Sequence, residues 1–109
     1  MKYAISSKGN TTECKCDPHF ARSPYFAIFH SDQNKTTFIE NPYQNLPEKA
    51  GPSVVKMLSS HNIEAVVSSE LGEKIKNHFQ SEKIGMVILE EENKSIKEII
   101  DIINNKKSY

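Results

Sequence analysis

The sequence of 109 residues has no tryptophan, two cysteines, four glycines and five prolines. With so few cysteines there is no disulfide framework. Cys14 and Cys16 stand one residue apart, and in a reducing compartment both are expected as thiols unless something binds them. A charge excess of either sign is also missing, because 14 basic residues balance 14 acidic ones. A nucleic-acid partner calls for concentrated positive charge to replace counterions. The nearest candidate, Asn104-Asn105-Lys106-Lys107, is too short, so no nucleic acid is expected. No apolar run is long enough to span a membrane. Met1-Lys2-Tyr3-Ala4-Ile5-Ser6 has one charge and no extended apolar stretch, so no secretory signal is read and a cytoplasmic location is expected. Internal repeats and low-complexity linkers are absent too. Residues 1–109 are therefore read as one domain, with 104–109 as a frayed tail.

What is present is an ordinary globular composition, 37% apolar and 26% charged, enough for one core without staples. The apolar pattern predicts strands over Lys2–Ser6, Pro24–Ser31 and Lys35–Glu40, the last two joined by a turn at Asp32-Gln33-Asn34. Asn41-Pro42 breaks the pairing. Gly51-Pro52 opens a helix that runs to about Ser60 with Val54, Val55 and Leu58 inward. Glu64–Ser68 is a short buried strand. Ser69 is expected to cap a second helix burying Leu71, Ile75 and either His78 or Phe79. Ile84–Leu89 is the last strand. Ser95-Ile96-Lys97-Glu98 is a capping box opening a helix striped with Ile96, Ile99, Ile100 and Ile103. The order β-β-β-α-β-α-β-α, with late strands apolar on both faces, predicts an α/β/α three-layer sandwich around a mixed five-stranded sheet.

This order sends the loops after the first, third and fourth strands to one edge: Ser7–Pro18, Asn41–Gly51 and Ser68–Ser69. Open α/β sheets bind ligands beyond the carboxyl ends of their strands. Two helix N-termini face the same edge and favour an anion there.

Cys14-Lys15-Cys16 with His19 is the densest local cluster of metal-ligating types. Thiolate and imidazole suit soft or borderline metals such as Cu(I), Zn and Fe. The spacing is not that of common zinc modules, and no second Cys/His pair closes a tetrahedral site. The alternatives are an open site completed by the ligand's own atoms and incidental loop thiols. His30, His61, His78 and the run Glu90-Glu91-Glu92 are expected to be ordinary polar or solvated residues.

The stretch Asp17-Pro18-His19-Phe20-Ala21-Arg22-Ser23-Pro24-Tyr25-Phe26 resembles the His-Phe-Gly-Arg-Ala-Pro-Tyr-Phe signature of the dinitrogenase iron–molybdenum cofactor biosynthesis family. Glu40-Asn41-Pro42, Ala50-Gly51 and Leu71-Gly72-Glu73-Lys74 extend the resemblance in the same order, from Met1 to about Ile103. The resemblance implies a ribonuclease H-like fold. It also implies binding of the iron–molybdenum cofactor, a precursor, or another molybdenum- or copper-containing cluster, with cofactor-biosynthesis proteins as partners. Carried over onto this chain, it marks His19, Phe20, Arg22, Gly51 and Gly72 as signature positions. Ala21 replaces the family's glycine, which disfavours a positive φ there. Arg22 is read either as an ion-pair partner of Asp17 or Glu40 or as a contact for an anionic cluster. Phe20, Tyr25 and Phe26 are read as core, and Gly51 and Gly72 as positions serving backbone geometry.

The expected cofactor-binding set is therefore His19, Arg22, Gly51, Ser69 and Gly72, and the expected metal-ligating set is Cys14, Cys16 and His19. The expected function is non-enzymatic binding or carriage of a metal–sulfur cluster. The alternative is soft-metal or thiol trafficking through Cys14 and Cys16, although the thioredoxin-type Cys-x-x-Cys is lacking. A ribonuclease H-like fold also raises a nuclease, but two-metal chemistry needs clustered carboxylates. The first strand carries none, and neither does Ala65–Ser68 in the fourth; Glu64 and Glu70 only flank it.

Overall fold

A computed structural model describes residues 1–107. Its strands are β1 (Lys2–Ser7), β2 (Tyr25–His30), β3 (Lys35–Glu40), β4 (Ala65–Ser68) and β5 (Gly85–Ile88). Its helices are α1 (Ala50–Ser60), α2 (Glu73–Ser81) and α3 (Ile96–Lys107), with a 3₁₀ turn at Phe20–Arg22. The five strands form one sheet in the order β3-β2-β1-β4-β5. β1 pairs antiparallel with β2 and parallel with β4, β2 pairs antiparallel with β3, and β4 pairs parallel with β5. This is the expected mixed sheet.

Period-two alternation along the central strands builds the two cores. Ala4, Phe26, Ile28 and Val66 point to one face and pack with Val54, Val55 and Leu58 of α1 and Phe79 of α2. Ile5, Ala27, Phe29 and Val67 point to the other and pack with Ile96, Ile99 and Ile103 of α3. Tyr25–Phe29 and Ala65–Val67 therefore read as continuously apolar because both faces are covered. Phe79 is buried and its neighbour His78 is exposed, which decides between the two candidates for the inner face of α2.

Helix ends follow local chemistry. The capping box closes as expected: Ser95 N–H donates to Glu98 Oε1 at 2.9 Å, and Glu98 N–H donates to Ser95 Oγ at 3.1 Å. Ser95, through its backbone N–H first and its hydroxyl second, holds the Glu98 carboxyl below its ordinary range. α3 continues to Lys107, through the segment from Asn104 assigned above to the tail. The rest of that segment, 108–109, lies outside the described residues.

One helix start requires correction. Ser69 does not cap α2; the helix begins at Glu73, with Gly72 at the N-cap in extended conformation. Leu71 is buried but precedes the helix. Its spacing of four and eight from Ile75 and Phe79 imitates a helical stripe although the chain at Leu71 is not helical.

Candidate functional site

The loop after β1 splits into two parts with different destinations. Residues 8–16 fold away from the open edge and dock on the start of α3. Cys16 N–H donates to Lys94 C=O at 2.9 Å, Ile96 N–H to Cys14 C=O at 2.8 Å, and Lys97 N–H to Thr12 C=O at 2.9 Å. First-turn N–H groups of a helix have no partner within it. Here the cysteine loop supplies them with carbonyls.

Cys16 is consequently buried, packed with Ile5, Phe29 and Ile96 on the α3 face of the sheet. Its Sγ lies 3.5 Å from Ser6 Oγ. Burial pushes the thiol above its ordinary range, although the hydrogen bonds from Ser6, the Ser69 backbone and Ser68 pull the other way. Cys14 is partly exposed, with its Sγ 3.3 Å from Thr11 Oγ1. Among the described residues no three His, Cys, Asp or Glu side chains are gathered where they could hold a metal ion. Cys14, Cys16 and His19 are thus not brought together as a three-ligand site.

The burial of Cys16 has a measurable consequence. A thiol whose folded pKa is raised binds its proton more tightly folded than unfolded. Its contribution to stability is complete below the unfolded thiol value and is lost as pH rises toward the folded one. Urea unfolding should show stability falling above about pH 8.5, with a slope that Cys16→Ala reduces. In the native protein a maleimide should label Cys14 and leave Cys16 unmodified until unfolding.

The second part of the loop stays at the edge. Asp17 N–H donates to the Ser6 carbonyl at 3.0 Å, and Ser6 Oγ donates to the Asp17 carbonyl at 2.7 Å. This ties Asp17 to the end of β1. Its Oδ1 accepts the His19 backbone N–H at 2.9 Å and lies 3.3 Å from His19 Nδ1. The Asp17 side chain is only 14% exposed, whereas that of His19 is 81% exposed. A carboxylate engaging one ring nitrogen fixes the imidazole's orientation and leaves Nε2 for a ligand.

After His19 the chain makes its 3₁₀ turn, and Phe20 inserts into the core. Its ring lies 5.0 Å from Phe26 and 5.6 Å, edge-on, from Phe79. Ala21 takes part in this right-handed turn, so the missing glycine leaves no strain. Arg22 pairs with neither Asp17 nor Glu40. Its Nη1 donates to the carbonyls of Gln44 (3.1 Å) and Leu46, which holds the loop after β3 against the turn. Asn41, fully buried, completes this junction. Its Nδ2 donates to the carbonyls of Ala21 and Ser23, and its Oδ1 accepts from Tyr43 N–H, all at 2.9 Å.

Between this turn and the starts of α1 and α2 lies an open cavity of about 810 Å³. Pro18–Arg22, Lys49–Pro52, Glu70–Ile75 and His78 line it. Of the expected cofactor-binding residues, His19, Arg22, Gly51 and Gly72 are in the wall. Ser69 is not, and neither cysteine is. Lys49, which no sequence signal marks, lines the cavity together with Lys74 of the family-like turn and with His78, expected to be an ordinary polar residue. All three are common surface residue types, and only the topology brings them to this edge. Arg22, Lys49 and Lys74 face two acids, Glu70 and Glu73, and Glu73 is turned to Lys76 at 3.6 Å. Neither α1 nor α2 has a side-chain cap at its N-terminus, so both direct first-turn N–H groups and the positive dipole end at this edge.

Gly51 and Gly72 are not held by backbone geometry, since neither has a positive φ. A Cβ at Gly51 would meet only Ile75, at 3.9 Å, and one at Gly72 would meet nothing within 4 Å. What they contribute is low walls to the cavity.

The family model described as dinitrogenase iron-molybdenum cofactor matches residues 1–105. No functionally curated protein matches the chain. Solved structures share the fold. The apo form of the orange protein from Desulfovibrio gigas superposes with a TM-score of 0.85 at 17% identity, covering 97% of this chain and 88% of that one. A Thermotoga protein described as a NifB candidate of the DUF35 family superposes with a TM-score of 0.81 at 24% identity, covering 95% and 87%.

Proposed function

The chain belongs to the dinitrogenase iron–molybdenum cofactor family, and from that premise we propose that it binds or carries an anionic metal–sulfur cluster without acting as an enzyme. The cargo sits in the cavity bounded by the turn after β1 and the starts of α1 and α2. The observation carrying this reading is the convergence of His19, three basic side chains and two uncapped helix N-termini on one cavity of about 810 Å³. That volume lies within the usual range of roughly 300–1,000 Å³ for ligand sites.

The donor set fits such cargo. A cluster that brings its own sulfides has its soft ligands already and needs from the protein a counter-charge, an enclosing wall and one or two donors. His19 Nε2 is the donor for a thiophilic metal. Lys49, Lys74 and Arg22 balance negative charge, and the acceptors bound by the Arg22 guanidinium are neutral carbonyls that do not offset it. Phe20 and Leu71 supply the apolar floor. Proteins that make or use the cluster are the exchange partners. The iron–molybdenum cofactor, its precursors and molybdenum–copper–sulfur clusters share this chemistry.

Anaerobic addition of tetrathiomolybdate with Cu(I), followed by gel filtration, tests the reading. The visible chromophore is expected to elute with the protein, and equally with the double variant Cys14→Ser/Cys16→Ser. A wild type that elutes colourless contradicts the proposal. Loss of colour on removing the two thiols transfers the site to the cysteine loop.

A further inference from the structure

The two edges of the sheet are built differently. β3 ends in Lys35 and Glu40 and carries Thr36 and Thr37 between them. β5 is Gly-Met-Val-Ile, without charge or proline, and among the described residues no strand or bridge lies beyond it. Open edges are normally guarded by short length, charge, proline or a bulge, because their free N–H and C=O groups template further pairing; of these guards β5 has only its length of four residues. Ile88 is 47% exposed, one of two large hydrophobic side chains left in solvent among the described residues.

The backbone of β5 is poised for such pairing. Gly85 N–H donates to Glu64 C=O at 2.8 Å, and Leu89 N–H donates to Ser68 C=O at 2.9 Å, so the odd-numbered residues turn toward β4. By strand alternation Met86 and Ile88 turn their N–H and C=O groups outward.

We propose that β5 is a self-association edge. Two copies of the chain pair β5 to β5, antiparallel, about a two-fold axis normal to the sheet, and their sheets become continuous. Such an axis keeps α3 on the same face in both copies. Directly opposed residues must then share a face, and a hydrogen-bonded pair must both point outward. Setting Met86 opposite the other copy's Ile88 meets both conditions and sets Val87 opposite its own counterpart. The exposed Ile88 side chain is then covered by Met86. Charge selects the same orientation. Lys83 precedes β5, and Glu90, Glu91 and Glu92 follow it; Glu82 is turned back to accept from Ser59 Oγ at 3.0 Å, and Glu91 pairs with Lys94 at 3.3 Å, so Glu90 and Glu92 carry the acidic charge beside the strand. Antiparallel pairing brings each Lys83 to the other copy's acidic run, where opposite charges attract. Parallel pairing would set like charges side by side.

Sedimentation velocity of the full chain, from micromolar to millimolar concentration, tests this independently of any ligand. A monomer–dimer equilibrium is expected. Ile88→Lys should leave a monomer throughout. Lys83→Glu should raise the dissociation constant about tenfold, by placing like charges across each of the two symmetric ends. Adding Glu90→Lys to Lys83→Glu should recover most of that loss. Both Lys83 and Ile88 are exposed, so the variants should fold, and far-UV circular dichroism verifies it. A wild type that stays monomeric, a dimer that survives Ile88→Lys, or a second charge reversal that deepens the first defect would each overturn the proposal.

Discussion

Asn41→Ala is expected to lower the stability of the protein by about 3 kcal/mol and its Tm by roughly 15 °C. The side chain is fully buried, and both its amide hydrogens and its oxygen are engaged. Removing it strands the carbonyls of Ala21 and Ser23 and the N–H of Tyr43. An unsatisfied buried group costs about 1–3 kcal/mol, and relaxation or an entering water offsets part of the sum. Asn41→Asp should be nearly as harmful, since it keeps the acceptor for Tyr43 but sets an oxygen against two carbonyl oxygens. Gln44→Ala, which loses one bond to the Asn41 carbonyl, should cost no more than about 1 kcal/mol. Urea denaturation measures all three. A loss below about 1 kcal/mol for Asn41→Ala would mean that the junction relaxes freely and that Asn41 does not hold the His19 turn in place.

The architecture was legible because its signals are periodic. Alternation in Tyr25–Phe29 and in Ala65–Val67, together with the isoleucine stripe of α3, specifies two covered faces without long-range information. The start of α2 was misread for a related reason. Leu71, Ile75 and Phe79 keep helical spacing, yet Leu71 is a buried anchor outside the helix. Helical spacing alone does not separate a residue inside a helix from one that packs beside its first turn.

The cavity proposed as the site was legible in outline. Strand order and handedness point to the edge, and the His19–Phe26 signature marks one wall. Lys49 carries no mark and His78 reads as an ordinary polar residue, because nothing local distinguishes a polar side chain beside a cavity from one in solvent; Lys74 stands out only as the end of the turn Leu71-Gly72-Glu73-Lys74. The cysteines differ in another way: neither lines that cavity. Cys14 and Cys16 read as an open cluster in a polar loop, but this loop is committed to the N–H groups of Ile96 and Lys97, some eighty positions away. That docking buries Cys16 on the α3 face, while the cavity opens beside α1 and α2. Asn41 was read as a strand breaker; its role as the hydrogen-bonding centre between two loops exists only once both loops are in place.

The second large effect concerns the cargo. His19→Ala is expected to weaken retention of the tetrathiomolybdate–Cu(I) cluster on the order of a hundredfold, and Asp17→Asn about tenfold. The ranking follows from geometry. His19 presents its ring to the cavity, whereas Asp17 touches only the far side of that ring and the His19 backbone. Asn at position 17 keeps an oxygen for the backbone N–H, so the turn survives while the charged partner of the imidazole is lost. Because the His19 side chain is 81% exposed, its removal should leave the unfolding free energy within about 0.5 kcal/mol of wild type. Anaerobic titration followed by visible absorption gives the affinities, and urea unfolding gives the control. Equal affinities across wild type, Asp17→Asn and His19→Ala would remove the imidazole from the site.

The most direct test is residue-resolved. Both metals in a tetrathiomolybdate–Cu(I) cluster are diamagnetic, so ¹H–¹⁵N spectra of the protein can be recorded before and after loading. The amides of Phe20–Arg22, Ala50, Gly51 and Leu71–Lys74 are expected to shift, while those of Thr12–Cys16 and Ile96–Lys97 stay in place. Shifts confined to the cysteine loop and the start of α3, or none anywhere on saturation, would contradict a cluster held in the cavity beside His19.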